Sequence, residues 1–529
     1  MSDLAGGSSM TGLGLRAPAA RLASVVLPTR PPSQGSTGRV LASALACVAG
    51  VCLMAWLAVS FDPLLALGAL VALGGGVLML VRPELATTLT VFLLYLNVPA
   101  ILTQRYGMPE VVAGAFILLL ASPLLHRLFV RREPLLFDST FLLMLVFLAV
   151  MLASSMLSRD PGLALTRVQV FVLEGLLLYW LVVNAVGSLR ALRQVLCALL
   201  VAGALLASLS LYQQVTGNFD QEFGGLAYRN YVEEGLEAPP RGGRDWLRAQ
   251  GPVNEPNRFG QILLVLVPLA VFLYRTGASR SVKLLAAAAG LALLVGIGLT
   301  SSRGTFIALA MVAASMVAVR WVRASRLLLA AGVLLLALPL ASPFLLMRIQ
   351  SIAGVTKLLG GERAAYQDLD GATLGRTTEM LAAFSAFLDH PVLGVGPGLY
   401  TPLYSVEYQQ KNPDLKFRDL RVPRRAHTLY FEMAAELGAV GLTVFMAIVL
   451  MLARRLWLAR KRLLERWRDR SDLATAMLLT LFAYLATAVT MHLAYQRYYW
   501  LLLALASAAL HILHAGQREE ERTWRPSRS

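Results

Sequence analysis

His427 is a titratable imidazole placed directly behind a run of cations, Arg418, Arg421, Arg424 and Arg425, and directly before an apolar stretch that opens Leu429-Tyr430-Phe431-Glu432. Those cations would attract a phosphate, and a neutral imidazole, with an ordinary pKa of about 6.5, can take a proton from a hydroxyl. The pairing points to chemistry on a phosphate held at a membrane surface. Three further segments carry polar residues where generic membrane sequence has none. Residues 251–261 place Asn254 to cap a helix whose first turn holds Pro256, followed by Asn257 and Arg258. Residues 300–305 put Arg303 at the start of another apolar run, and an arginine at a helix N-terminus is a ready anion site. Residues 376–398 begin at Arg376, set Met380, Phe384, Phe387 and Leu388 on one helical face, and end in a glycine-rich turn from His390 to Gly398. That pattern suits a helix lying on a membrane surface. The turn lacks the Lys-Ser/Thr of a P-loop.

The scaffold that must position these residues follows from composition. With 57% hydrophobic residues, 15% charged residues and a mean hydropathy of +0.63 over 529 residues, the chain cannot be an ordinary soluble domain. Apolar runs long enough to cross about 30 Å of hydrocarbon lie near 40–60, 64–81, 85–103, 110–130, 135–157, 167–187, 194–215, 258–274, 284–300, 304–320, 327–346, 429–453, 472–491 and 496–514. The expected fold is all-α, a polytopic integral membrane helical bundle of about twelve to fourteen transmembrane helices. A net charge of +17 suggests a nucleic-acid partner until the charges are placed. Basic clusters follow the fourth, eighth and tenth runs, and the densest, Arg454 to Arg470, follows the twelfth. With both termini cytoplasmic, all of them fall inside, so they report topology and no nucleic acid is expected.

That orientation divides the chain into a disordered cytoplasmic tail (1–38), N-terminal spans (39–215), an outer loop (216–257), central spans (258–346), a large outer loop (347–428), C-terminal spans (429–514) and a cytoplasmic tail (515–529). Long ordered loops on a rigid scaffold tend to carry function. Cys47, Cys52 and Cys197 sit inside expected spans, which leaves no outer disulfide framework, and no spacing suggests a metal or cofactor site. No cleaved leader is expected ahead of the first span. Each polar residue also has a plain structural reading: arginines at span ends reach for headgroups, Glu432 and Glu436 can pack and hydrogen-bond between helices, and the asparagines can cap. Glu174 stands nearly alone inside its span, unlike the relay of charges that a transporter would carry.

Four ordered signatures resemble the superfamily of O-antigen ligases and Wzy-type polymerases, bacterial membrane glycosyltransferases. These are the Asn-Glu-Pro-Asn start at 254–257, Ser-Arg-Gly at 302–304, Arg376 followed by the His-Pro-x-x-Gly-x-Gly-Pro-Gly turn, and His-x-x-Tyr-x-Glu-x-x-x-Glu-x-Gly from His427 to Gly438. They cover about 250–445. The family's usual His-Asn is His427-Thr428 here, and its commoner Asp-Pro-Asn is Glu255-Pro256-Asn257. The resemblance implies a GT-C-like fold with a large periplasmic loop containing amphipathic helices over the site, in the inner membrane. It also implies transfer of a glycan from undecaprenyl diphosphate to a sugar hydroxyl on the outer face, without a cofactor. His427 and Arg303 are then the expected catalytic residues, with Arg376, Arg258, Asn257, Arg424, Arg425 and Glu436 binding the diphosphate and the substrates. The acceptor is a growing polysaccharide (a polymerase, slightly preferred) or lipid A-core (a ligase). Membrane lipids and polysaccharide-assembly proteins are the further partners. A flippase of lipid-linked saccharides is the competing class, but it would place its polar residues near the midplane rather than in outer loops.

Overall fold

Several apolar runs begin where a polar side chain takes up the first N–H groups of a helix, and those caps fix the element boundaries there. Asp138 accepts from the backbone N–H of Phe141, Asp160 from Leu163, Ser188 from Ala191, Ser279 from Val282 and Ser302 from Thr305. The computed structural model describes residues 83–108, 120–229, 248–325, 332, 371–411, 421–491 and 497–524. All of them belong to the unit Gly76–Ser529. Among the described residues the regular structure is helical, apart from one isolated bridge between Tyr228 and Gly251.

In chain order the main helices are α1 (Pro83–Tyr95) and α2 (Val98–Gln104), a pair bent by 51°, then α3 (Ser139–Met156), α4 (Pro161–Ala185) and α5 (Leu189–Thr216). There follow α6 (Pro256–Thr276), α7 (Arg280–Leu299), α8 (Arg303–Ala318), α9 (Gly371–Asp389), α10 (Ser405–Lys411), α11 (Leu429–Leu463), α12 (Arg468–Ala488) and α13 (Arg497–Trp524). Eight of these, α3 to α7 and α11 to α13, are long and apolar enough to cross a membrane, and the bent pair α1 and α2 makes a ninth if it is one span. The chain is therefore a multi-pass membrane protein. Ten of the apolar runs marked in the sequence fall on described residues, and each is helical, α8 being the short one. The runs near 40–60, 64–81 and 327–346, and most of 110–130, lie outside the described residues, as do Arg418 and residues 347–370 of the large outer loop.

Helices α5 and α7, α6 and α12, α11 and α12, and α4 and α13 pack as neighbours around a core in which Trp500, Tyr499, Tyr484, Phe445, Phe147 and Phe171 form a continuous aromatic seam. Alternating helix directions bring Asn97, Pro252, Thr300, Thr490 and Arg497 to one end. Asn97 donates to Pro252 O at 2.8 Å, Arg248 to Thr300 O at 2.8 Å, and Arg497 to Asn97 Oδ1 at 3.1 Å. The other end is tied by carboxylates. Asp472 accepts from Arg275 Nε and Trp321 Nε1, both at 2.8 Å. Asp138 accepts from Tyr179 and Ser507. The exposed cations Arg454, Arg455, Lys461 and Arg462 on α11 also lie at this second end, opposite His427.

Candidate functional site

The site is built on a joint in α11. Its helix breaks at Gly438 (φ 64, ψ −167), a conformation that glycine alone adopts readily. The chain from His390 to Gly398 docks into the break. Ala439 N donates to Pro391 O at 2.7 Å and Val440 N to Val392 O at 3.3 Å, while Val395 N and Gly396 N donate to the carbonyls of Ala435 and Glu436 at 2.9 and 3.0 Å. A β-carbon on Gly394 would lie 2.3 Å from the Glu436 carbonyl carbon, and one on Gly438 would lie 2.2 Å from Val392 O. The glycine-rich turn and the kink near Gly438 are thus two halves of one contact, and the turn carries no phosphate. Glu436 completes it, accepting from Gly398 N at 2.8 Å through its carboxylate.

This joint seats α9 against the first turns of α11. The buried face of α9 is small, with Thr378, Glu379, Ala382, Ala383 and Ala386, and it packs on Ala426, Ala435 and Phe431. Phe384 and Leu388 face outward, as a helix lying on a membrane surface requires. The helix ends at Asp389, directly before the turn from His390 to Gly398.

His427 sits at the entrance to α11 with φ 50, a left-handed conformation that costs a non-glycine residue on the order of 1 kcal/mol. Its Nε2 lies 3.2 Å from Glu379 Oε2, and Arg424 Nε lies 4.0 Å from the other oxygen of the same carboxylate. Burial, and then the guanidinium groups of Arg376, Arg424, Arg425 and Arg258, push the imidazole pKa down to about 3. Four arginines drawn from α9, from the segment before α11 and from α6 therefore converge on one neutral histidine. Glu379 was not singled out in the sequence; the signal for it was a carboxylate one helical turn after Arg376, on the same face.

Arg258 also lies in electrostatic reach of Glu255, Glu432 and Tyr484. The N-cap of α6 is Glu255 and not Asn254, whose φ of 50 places it in the turn before. A carboxylate has two oxygens to offer, and Glu255 uses them on the N–H groups of Asn257 at 3.0 Å and Arg258 at 2.5 Å, so these groups do not point outward to a ligand. Asn257 is a cross-link: its Oδ1 accepts from Arg248 at 3.1 Å and from the Ser302 hydroxyl at 2.8 Å, and its Nδ2 donates to Glu255 at 2.8 Å. Ser302 caps α8, whose first residue is the half-buried Arg303. Gly304 lets that turn approach closely, since a β-carbon there would lie 2.3 Å from Thr490 Oγ1. The Ser302–Asn257 bond thereby joins the start of α8, where Arg303 sits, to the start of α6, where Arg258 sits. Arg248, in the loop before α6, is a further cation that sequence reading passed over. Glu174 is not alone as expected from sequence; it pairs with Arg497 at 3.6 Å.

Among the described residues no group of three or more His, Cys, Asp and Glu side chains is arranged to hold a metal ion. The arrangement offers clustered guanidinium groups for an anion and a neutral, carboxylate-oriented imidazole beside them.

Residues 287–446 match the model of the family described as O-antigen ligase. The match contains Arg303, Arg376, Arg424, Arg425, His427 and Glu436 and stops short of Asn257 and Arg258, which join the site through the contacts above. No curated protein matches the chain.

Proposed function

From a chain that belongs to the O-antigen ligase and Wzy-type superfamily through residues 287–446, we propose a membrane glycosyltransferase that moves a glycan from a polyprenyl diphosphate to a sugar hydroxyl. The observation that carries this reading is the convergence of Arg376, Arg424, Arg425 and Arg258 on a neutral His427 held by Glu379. The acceptor oxygen attacks the anomeric carbon as the bond from that carbon to the diphosphate oxygen breaks. The diphosphate leaves with the bonding electron pair, and Arg303, Arg258 and Arg376 stabilise its growing charge. The hydroxyl proton passes to His427. A single displacement of this kind inverts the anomeric centre and asks nothing of a metal ion.

An imidazole with a pKa near 3 is a weak base, held in check first by burial and then by the arginines that bind the donor. A bound diphosphate offsets those positive charges, and His427 regains basicity when the donor is present. The enzyme would couple donor binding to base strength.

The site faces the periplasm in this reading, because the exposed cations of α11 lie at the opposite end of the bundle and mark the cytoplasmic side. A growing polysaccharide is the acceptor. Transfer of a finished glycan to lipid A-core is the second reading, favoured by the family's description as O-antigen ligase. Glycolipid analysis of a deletion strain separates them. Loss of long chains with single repeat units retained on the final carrier supports the polymerase, and finished chains accumulating on polyprenyl diphosphate support the ligase. An unchanged glycolipid profile contradicts both.

A further inference from the structure

Two irregularities of backbone meet the start of a third helix inside the bundle. The pair α1 and α2 breaks at Asn97, which is left-handed at φ 63; α4 loosens into a π-helical stretch over Phe171–Leu177; and α13 brings in Arg497. Arg497 Nη1 lies 3.6 Å from Glu174 Oε1, and its Nη2 donates to Asn97 Oδ1 at 3.1 Å. Glu174 is near the middle of the span Pro161–Ala185, and Arg497 is the first residue of the span that α13 makes, so the pair joins a carboxylate inside one span to a cation at the site-bearing end of another.

Crossing a bilayer requires none of this. A largely buried charge pair is usually less stabilising than apolar residues of the same volume, and an ionisable residue such as Glu174 within a span marks a functional site. Broken helices persist there where they line a polar space or are buried in protein, and π-bulges gather at functional sites. The pair is loosely set, with one long contact in place of a two-pronged fork, and its side chains remain 15% and 26% exposed. It is also contiguous with the rim site. The buried phenol of Tyr498 interacts electrostatically with Arg497, Glu174 and Arg258 together. The next two residues, Tyr499 and Trp500, each bury a polar group, the hydroxyl and Nε1, that makes no hydrogen bond among the described residues.

We propose that Arg497 is a further binding residue for the phosphate groups of a lipid-linked diphosphate, and that Glu174 is the counter-ion it exchanges for the substrate's charge. Glu174 is then a positioning residue that keeps Arg497 neutralised until the donor arrives. This rests on the transferase reading, since it names a second cation for the same donor. Arg258 and Arg497 would flank the diphosphate, with Tyr498 between them.

The test is native mass spectrometry of the purified full-length protein with undecaprenyl diphosphate, undecaprenyl monophosphate and phosphatidylglycerol as probes. Arg497→Gln alone leaves Glu174 without its cation, so it is combined with Glu174→Gln to keep the interior neutral. The double variant is expected to bind the diphosphate about tenfold more weakly, the scale of one charge-assisted hydrogen bond, with the other two lipids unchanged. Glu174→Gln alone is expected to bind the diphosphate more tightly, because the competitor for Arg497 is gone; a purely structural ion pair would give weaker binding. Undiminished diphosphate binding by the double variant, an equal loss of all three lipids, or weaker binding by Glu174→Gln overturns the proposal. Arg258→Gln and Arg303→Gln serve as the reference. If they too leave diphosphate binding untouched, the transferase reading falls as well; if they lose binding while the double variant keeps it, the Arg497 proposal falls alone.

Discussion

At the scale of single residues the account turns on the protonation state of His427. Its pKa is depressed in the folded protein, so the neutral base persists as pH falls below about 6.5 and is lost only as pH approaches about 3. The acidic limb of kcat/KM, which reports the free enzyme, should therefore lie far below pH 6.5. The limb of kcat, which reports the donor complex, should lie at higher pH, because bound diphosphate neutralises the arginines. Coincident limbs near pH 6.5 would show an imidazole indifferent to its neighbours. Glu379→Gln removes the negative charge facing Nε2, and rates about ten- to a hundredfold lower are expected from a misoriented base, with donor binding retained; a steady-state comparison of kcat and KM checks this. Much of the site could be read in the chain, because Arg376, Arg424, Arg425 and His427 flag themselves as cations and an imidazole beside apolar runs. Glu379 and Arg497 could not, since their importance comes from partners 48 and 323 positions away in sequence, brought close by packing.

Among the elements, the joint between the 390–398 turn and the kinked α11 decides whether His427 and Glu379 meet at all. Gly438→Ala forces a side chain into a conformation reserved for glycine and toward a carbonyl oxygen 2.2 Å from its β-carbon. A loss of about 2 kcal/mol or more is expected, visible as a lower unfolding temperature in detergent together with lost transfer. Gly187→Ala, where a β-carbon meets nothing within 4 Å, should leave both unchanged and serves as the control. Helix positions were legible because hydrophobic runs and caps are local properties. The break in α11 was not, because a glycine within a helical pattern does not by itself end a helix, and the interruption follows from bonds that the turn supplies from outside the helix. The mistaken cap at Asn254 has the same origin: Asn and Glu both cap, and the left-handed turn that selects Glu255 is a property of the folded chain.

For the whole molecule, the proposed orientation rests on the exposed cations of α11 marking the cytoplasmic side. Single cysteines introduced at Val392 and at Arg462, both exposed, should be labelled by a membrane-impermeant maleimide from opposite sides of the membrane, with Val392 accessible from the periplasm. Labelling of both from one side would invert or break the proposed topology. The most direct measurement of the central claim is transfer by the purified protein from a polyprenyl-diphosphate-linked oligosaccharide, followed by release of polyprenyl diphosphate in the presence of a metal chelator. The wild type should retain its rate under chelation, His427→Ala should lose about 10²–10⁴-fold and Arg303→Ala about 10²–10³-fold, with both variants folded. Full activity in either variant, or a rate restored only by a divalent cation, would contradict a reaction run by guanidinium groups and a neutral imidazole.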